Sequence, residues 1–293
     1  MRMRNFVLSG LGLLATAVTM AAKTEPGPLS KEPTGVFAVT ADHTLIHFDP
    51  TEPAKLKHSV AISGLARGEK LIGIDFRVAH GVLYALGSGG QLYTVNTGSG
   101  ALAPVGDGKL PVALPEGRYG FDFNPAADRI RVVSGSFNLR LHPETGAAVD
   151  FAPDSASFQP DGVLAYVAGD PHMAAMPHVS AAGYTYNSKN EKLTTNYVID
   201  IALGTLAMQG SREGASPVVS PNLGVLTTIG ELGTGPLEDA HLDISDISNT
   251  ALAALTPKSG TTRLYRIDLE TGRASVVGPI GDGSALLGLA IEP

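Results

Sequence analysis

Three aspartates recur at matched points of a repeated sequence: Asp75 in Gly73-Ile-Asp-Phe76, Asp122 in Gly120-Phe-Asp-Phe123 and Asp243 in Leu242-Asp-Ile244. If the fold gathers them, they form a set of carboxylate oxygens, and the ion such a set suits is a hard cation such as Ca²⁺, which wants several oxygens. The same acids could instead bond backbone amides, or an arginine, of a neighbouring repeat and lock one repeat to the next. No calcium loop of the D-x-D-x-D-G kind is present.

A second cluster gathers Asp122, Asn124, Asp128, Arg129, Arg131, Asn138 and Arg140 in one short stretch. Arg129 and Arg131 alternate with Ile130 and Val132, and Arg140 falls on the following strand, so Arg131 and Arg140 can share a face. Two guanidinium groups side by side grip a carboxylate or phosphate in bidentate fashion. The expected site for a small anionic ligand is therefore Arg131, Arg140, Asn138, Asn124 and Asp122. The alternative is a set of ion pairs with Asp122 and Asp128. A third group, His172, Met173, Met176 and His178, combines thioether and imidazole, the ligands of soft copper. Its irregular order and the lack of a second such cluster predict no tight Cu(I) binding. Catalytic signatures such as G-x-S-x-G and H-E-x-x-H are absent, and the chain has no Cys.

The elements that must carry these residues are legible in a repeated phrase. It reads Arg263-Leu-Tyr-Arg-Ile-Asp-Leu-Glu-Thr-Gly272, Gln91-Leu-Tyr-Thr-Val-Asn-Thr-Gly-Ser-Gly100 and Asn138-Leu-Arg-Leu-His-Pro-Glu-Thr-Gly146, with worn copies at Thr44–Asp49 and Asn196–Asp200. Apolar and polar residues alternate up to an Asp or Asn, and Thr-Gly then turns the chain, which is a strand followed by a hairpin. Asp49, Asn96 and His142 are spaced at about 47 and about 46 residues, the period of four-stranded propeller blades. The prediction is an all-β chain forming a single β-propeller of five four-stranded blades, or six if Pro217–Gly235 hides strands of its own. Blade four is expected from Val163–Ala168, Ala181–Asn187, Thr195–Ile201 and Thr205–Gln209. Leu286–Ile291 has no partner strands after it, and Val36–Val39 lacks an inner strand before it. The C-terminal strand should therefore pair with the N-terminal blade and close the ring.

The first residues read differently. Met1-Arg-Met-Arg4 is a positive start, Phe6–Met20 an apolar run, and Thr19-Met-Ala21 a small-residue cleavage site. The run is shorter than the roughly 20 apolar residues of a membrane span. Residues 1–21 are expected to be a signal peptide, 22–34 a linker and 35–293 the propeller, in a periplasmic or secreted protein with no membrane span after cleavage. A net charge of −7 without a basic run beyond the leader excludes nucleic acid as a partner.

The run Gly120-Phe-Asp-Phe-Asn-Pro-Ala-Ala-Asp-Arg-Ile-Arg-Val-Val-Ser134, together with Asn138–Gly146, Leu83-Tyr-Ala-Leu86, Gly169-Asp170, Leu264–Asp268 and Gly288-Leu-Ala-Ile291, resembles the DUF4394 family of bacterial exported proteins. The resemblance extends from about residue 35 to the end. It implies a repeat-built β-propeller-like domain outside the cytoplasm and no assigned activity. The loop Gly169–Val179, with its two His and two Met, departs from the family pattern. The functional expectation is a binding or interaction module for a small anionic ligand or a protein partner, with Ca²⁺ the one cofactor the residues suggest. The alternative, by analogy of fold, is a Ca²⁺-dependent hydrolase or lactonase using acids at the channel mouth. The sequence assigns no oligomeric state.

Overall fold

The alternating segments form strands in the computed structural model, which describes residues 32–293. The expected signal peptide lies outside the described residues, as does most of the linker. In chain order, blade one holds β1 (Val36–Thr40), β2 (Thr44–Phe48) and β3 (Leu56–Ala61). Blade two holds β4 (Leu71–Arg77), β5 (Val82–Gly87), β6 (Leu92–Val95) and β7 (Leu102–Val105). Blade three holds β8 (Gly120–Asn124), β9 (Arg129–Ser134) and β10 (Phe137–Leu141). Blade four holds β11 (Ala165–Tyr166), β12 (Val179–Tyr184), β13 (Asn196–Asp200), β14 (Thr205–Gln209) and β15 (Val225–Glu231). Blade five holds β16 (Leu237–Ile244), β17 (Ala251–Pro257), β18 (Arg263–Ile267) and β19 (Ala274–Pro279), and β20 (Leu286–Ile291) ends the chain.

These strands make five sheets arranged in a ring, a five-bladed β-propeller. The inner strands, β20, β4, β8, β12 and β16, pack against one another in that cyclic order. β20 pairs antiparallel with β1, Val36 opposite Ile291 and Ala38 opposite Leu289. The ring is thus closed by joining the two ends of the domain, as the orphan strands required. Closure leaves neither end strand as an open inner edge.

Two blades differ from the repeat. Blade three has three strands. Its outer place is taken by irregular chain, with Val149 N–H donating to Arg140 C=O at 2.8 Å and Leu164 N–H to Ser136 C=O at 2.9 Å. In blade four, Pro217–Gly235 does conceal a strand, β15, but it pairs with β14 and completes that blade instead of founding a sixth. Of the four segments expected for blade four, Val163–Ala168 is not the first of a consecutive run, and the inner strand is β12. The earlier segment supplies only the short β11, parallel to β15 at the outer edge. Packing explains the exchange. A Cβ on Gly120 would lie 2.5 Å from the Ala182 backbone nitrogen, so the neighbouring inner strand must come extremely close. The Ala181-Ala182-Gly183 run of β12 permits that approach.

Both faces of the inner strands are buried, as in β4 and β12, whereas outer strands such as β3 and β19 are largely exposed. Val36, Ala38 and Phe48 pack on Leu252, Ala254 and Leu264 of blade five. The alternate residues Phe37 and Val39 pack on Leu71, Ile74 and Phe76 of blade two. Along the axis, Gly73, Gly120, Ala181, His241 and Gly288 line a void of only about 10 Å³. His241 Nε2 lies 3.1 Å from the Leu286 carbonyl. That void is at the limit of what one water occupies, so the channel is narrow at this level.

Candidate functional site

Asp75, Asp122 and Asp243 stand at equivalent points of the inner strands of blades two, three and five. Each reaches the backbone of the following blade. Asp75 Oδ2 accepts from Phe123 N–H at 2.7 Å, Asp122 Oδ1 from Tyr184 N–H at 3.0 Å and Asp243 Oδ2 from Ile291 N–H at 2.5 Å. This register places Gly183 and Ala290 at the matching points of blades four and one, where no carboxylate is available. Phe76 N–H, which an acid at position 290 would have taken, is bonded instead by Asp75 Oδ1 at 2.7 Å. The aspartates are therefore ties between blades, holding inner-strand amides that no sheet partner reaches.

The same geometry also gathers them. One oxygen from each of the three lies within 4.8 Å of the others. Their relative exposures are 5%, 3% and 6%, and among the described residues no ion pair reaches any of them. They line a void of about 20 Å³, together with Asp246 from the loop after β16. The electrostatic consequence is direct. Burial, then the charge of Asp243, pushes the Asp75 carboxyl well above the ordinary range. Burial, then Asp75 and Asp243, does the same to Asp122. Burial raises Asp243 to about 6, and burial with the Asp243 charge raises Asp246 to about 7. Backbone donors favour the ionised forms but do not overcome the crowding. The cluster can hold protons or a cation, and its chemistry is that choice.

The arginines of blade three do something else. Arg131, 1% exposed, donates from Nη1 to Asp161 Oδ2 at 2.5 Å and Asn138 Oδ1 at 2.8 Å. Its Nη2 donates to Asn222 Oδ1 at 2.6 Å and its Nε to Tyr184 Oη at 3.1 Å. Arg140 straddles the same carboxylate, Nε to Oδ2 and Nη2 to Oδ1, both at 2.8 Å. The two guanidinium groups do share a face, and what they grip is Asp161. The pairing with Asp122 and Asp128 weighed from the sequence is not the one formed. Asp128 receives Arg77 instead, at 2.8 and 2.6 Å, and Asp122 has no arginine. Asn138 belongs to the Arg131 network, whereas Asn124 caps its own turn by accepting from Ala126 and Ala127 N–H.

In the His/Met loop, His172 Nδ1 is 3.0 Å from Thr228 Oγ1. Met173 and Met176 are 60% and 75% exposed, and the exposed His178 is held by its backbone N–H on Asp200. Sequence reasoning missed Asp161 and Asp246. Both sit in loops with no periodicity to mark them. A buried arginine pair that demands an acid was the only pointer to Asp161.

The chain belongs to the family described as "Domain of unknown function (DUF4394)", whose model matches residues 44–290. No curated protein matches it. Among solved structures it is similar to a chain of the nidogen/laminin complex at 12% identity, covering 88% of this chain and 98% of that one, TM-score 0.45. It is also similar to YCF48 from Cyanidioschyzon merolae at 11% identity, covering 85% and 71%, TM-score 0.40. TolB from Acinetobacter baumannii is similar at 9% identity, covering 84% of this chain and 53% of that one, TM-score 0.41. Likeness at this level says nothing of ligand or chemistry.

A carboxyl raised in the folded state binds its proton more tightly there than in the unfolded chain, so it adds stability below its ordinary value. That contribution is lost as pH rises through the folded value. With Asp243 at about 6 and Asp246 at about 7, melts in chelator-containing buffer should show Tm falling by about 5 °C or more between pH 5 and 8. Asp246→Asn should flatten part of the slope, and a Tm that is level or rises contradicts the crowding. For the second cluster, Asp161→Ala leaves two guanidinium groups without their acid. The expected loss in urea denaturation is about 3–5 kcal/mol; a loss below about 1 kcal/mol would show arginines free to bind other anions.

Proposed function

We propose that this protein is an exported binding module that takes its ligand at the open end of the propeller axis. Asp75, Asp122 and Asp243 hold a cation there as the first element of recognition. The observation that carries this reading is the set of three buried carboxylates, converging on one small void with no ion-pair partner among the described residues. Such a set is costly when ionised and alone, and a cation removes the cost. Ca²⁺ suits it, because the donors are oxygens and the aspartates are held at fixed points by the amides they bond.

The anionic ligand expected at Arg131 and Arg140 would have to displace Asp161 from both, which weighs against that site. The hydrolase or lactonase alternative has one observation in its favour, the placement of Asp246 beside the same void, where it could accept a proton from a water. Ester and lactone turnover that requires Ca²⁺ and Asp246 would establish it.

The module reading is tested by calorimetry and thermal melts at pH 7.5. Ca²⁺ at about a hundredfold its Kd should raise Tm by about 5 °C or more. Asp122→Asn keeps an acceptor for Tyr184 N–H and removes one like charge. It should leave the metal-free protein as stable as wild type or more so, and abolish the Ca²⁺ shift. A wild-type Tm unmoved by millimolar Ca²⁺ would refute Ca²⁺ as the occupant.

A further inference from the structure

The channel mouth is larger than an ion needs. The void over the three acids shares Val78, Phe123 and Asp246 with a groove of about 500 Å³, within the range of small organic ligand sites. Four blades build that groove: His80 lies in it from the turn after β4, Phe123 from β8, Tyr186 and Glu191 from the segment after β12, and Asp246 from the loop after β16.

Its charge has one sign to offer. Arg77 is the guanidinium that lines it, and that group is fully engaged with Asp128 and Glu144. Among the described residues no donor reaches the Asp246 carboxylate, and the partner of Glu191 is the Tyr186 hydroxyl at 3.3 Å. At the floor, Asp122 is only 3% exposed, and its Oδ1 is taken by the Tyr184 amide. Its Oδ2 has no donor among the described residues. Asp122 lines the void, so that oxygen is left to accept from a ligand donor, an observation independent of the groove.

We propose that the channel mouth binds an alkylammonium group. The –NH₃⁺ head sits among Asp75, Asp122 and Asp243, and the carbon chain runs along the groove past Val78 and Tyr186. An ammonium has three N–H donors, one for each carboxylate, and is about the size of the water that the void admits. The Tyr186 ring and the apolar wall accept the methylenes, and Asp246 and Glu191 favour further positive charge along the chain. This inference rests on the reading of the three acids as a cation site and names what carries the cation. The head group could come from a free diamine or from a lysine side chain of a protein partner.

The test is calorimetric titration of the full protein at pH 7.5 with 1,5-diaminopentane, with an acetylated, amidated lysine tripeptide, and with 1-pentanol and pentanoate as neutral and anionic controls. Ca²⁺ is titrated separately. The diamine, the peptide or both should bind, the controls should not, and Asp246→Asn and Asp122→Asn should each weaken amine binding at least tenfold. Amine preference shows whether the source is a small molecule or a lysine. Asp246→Asn changes a half-buried loop residue that ties no blades together and guards against a floor variant that fails to fold. Ca²⁺ binding without amine binding overturns this inference and leaves the cation site standing. Binding of neither overturns both. Amine binding that both variants leave unchanged places the amine elsewhere and also overturns the inference.

Discussion

Five inner strands crowd round one axis, and the rest of the molecule answers to that crowding. At Gly73 a Cβ would lie 2.3 Å from Phe121 Cβ, and at Gly120 it would meet the backbone of Ala181 and Ala182. Strands this close expose amides toward the next blade with no room for a further strand to accept them. A short acid can. The aspartate ties of blades two, three and five follow from this, and with them three carboxylates that each bring an oxygen within 4.8 Å of the others. What begins as a means of fastening blades ends as a concentration of negative charge. Below them the axis narrows to the small void lined by His241.

Blade three meets a different demand with the same economy. Lacking a fourth strand, it fastens its outer side through Asp161, which lies under Arg131 and Arg140. Asn138 Nδ2 donates to the Gly162 carbonyl at 3.0 Å, and Asn222 of blade four reaches Arg131. Side chains take the place of ladder bonds there, and only a fully connected set is stable at that depth. The arginines that break the repeat do so because the strand plan breaks at the same place.

Much of this was legible in the sequence. The alternating phrase closed by Thr-Gly marks the hairpins, and the unmatched strands at Val36 and Leu286 demand closure. The matched positions of Asp75, Asp122 and Asp243 place all three on inner strands. What periodicity cannot convey is which strand of an irregular blade lies innermost, since close approach is decided by the neighbouring backbone. Hence β11 and β12 were exchanged and β15 was hidden. Nor can it find partners from loops. Asp161 reaches Arg131 from irregular chain 30 residues on, and Asp246 meets Asp75 only because blades two and five face the same axis.

The central claim is that the three inner-strand aspartates and Asp246 are crowded carboxylates with no cationic partner among the described residues. Side-chain carboxyl carbon NMR, titrated from pH 3 to 9 in metal-free protein, measures this directly. The account predicts that Asp243 and Asp246 titrate near 6 and 7, with Asp75 and Asp122 holding a proton well above the ordinary range. Four carboxyls titrating near 3.8, the ordinary value for an aspartate, would contradict it.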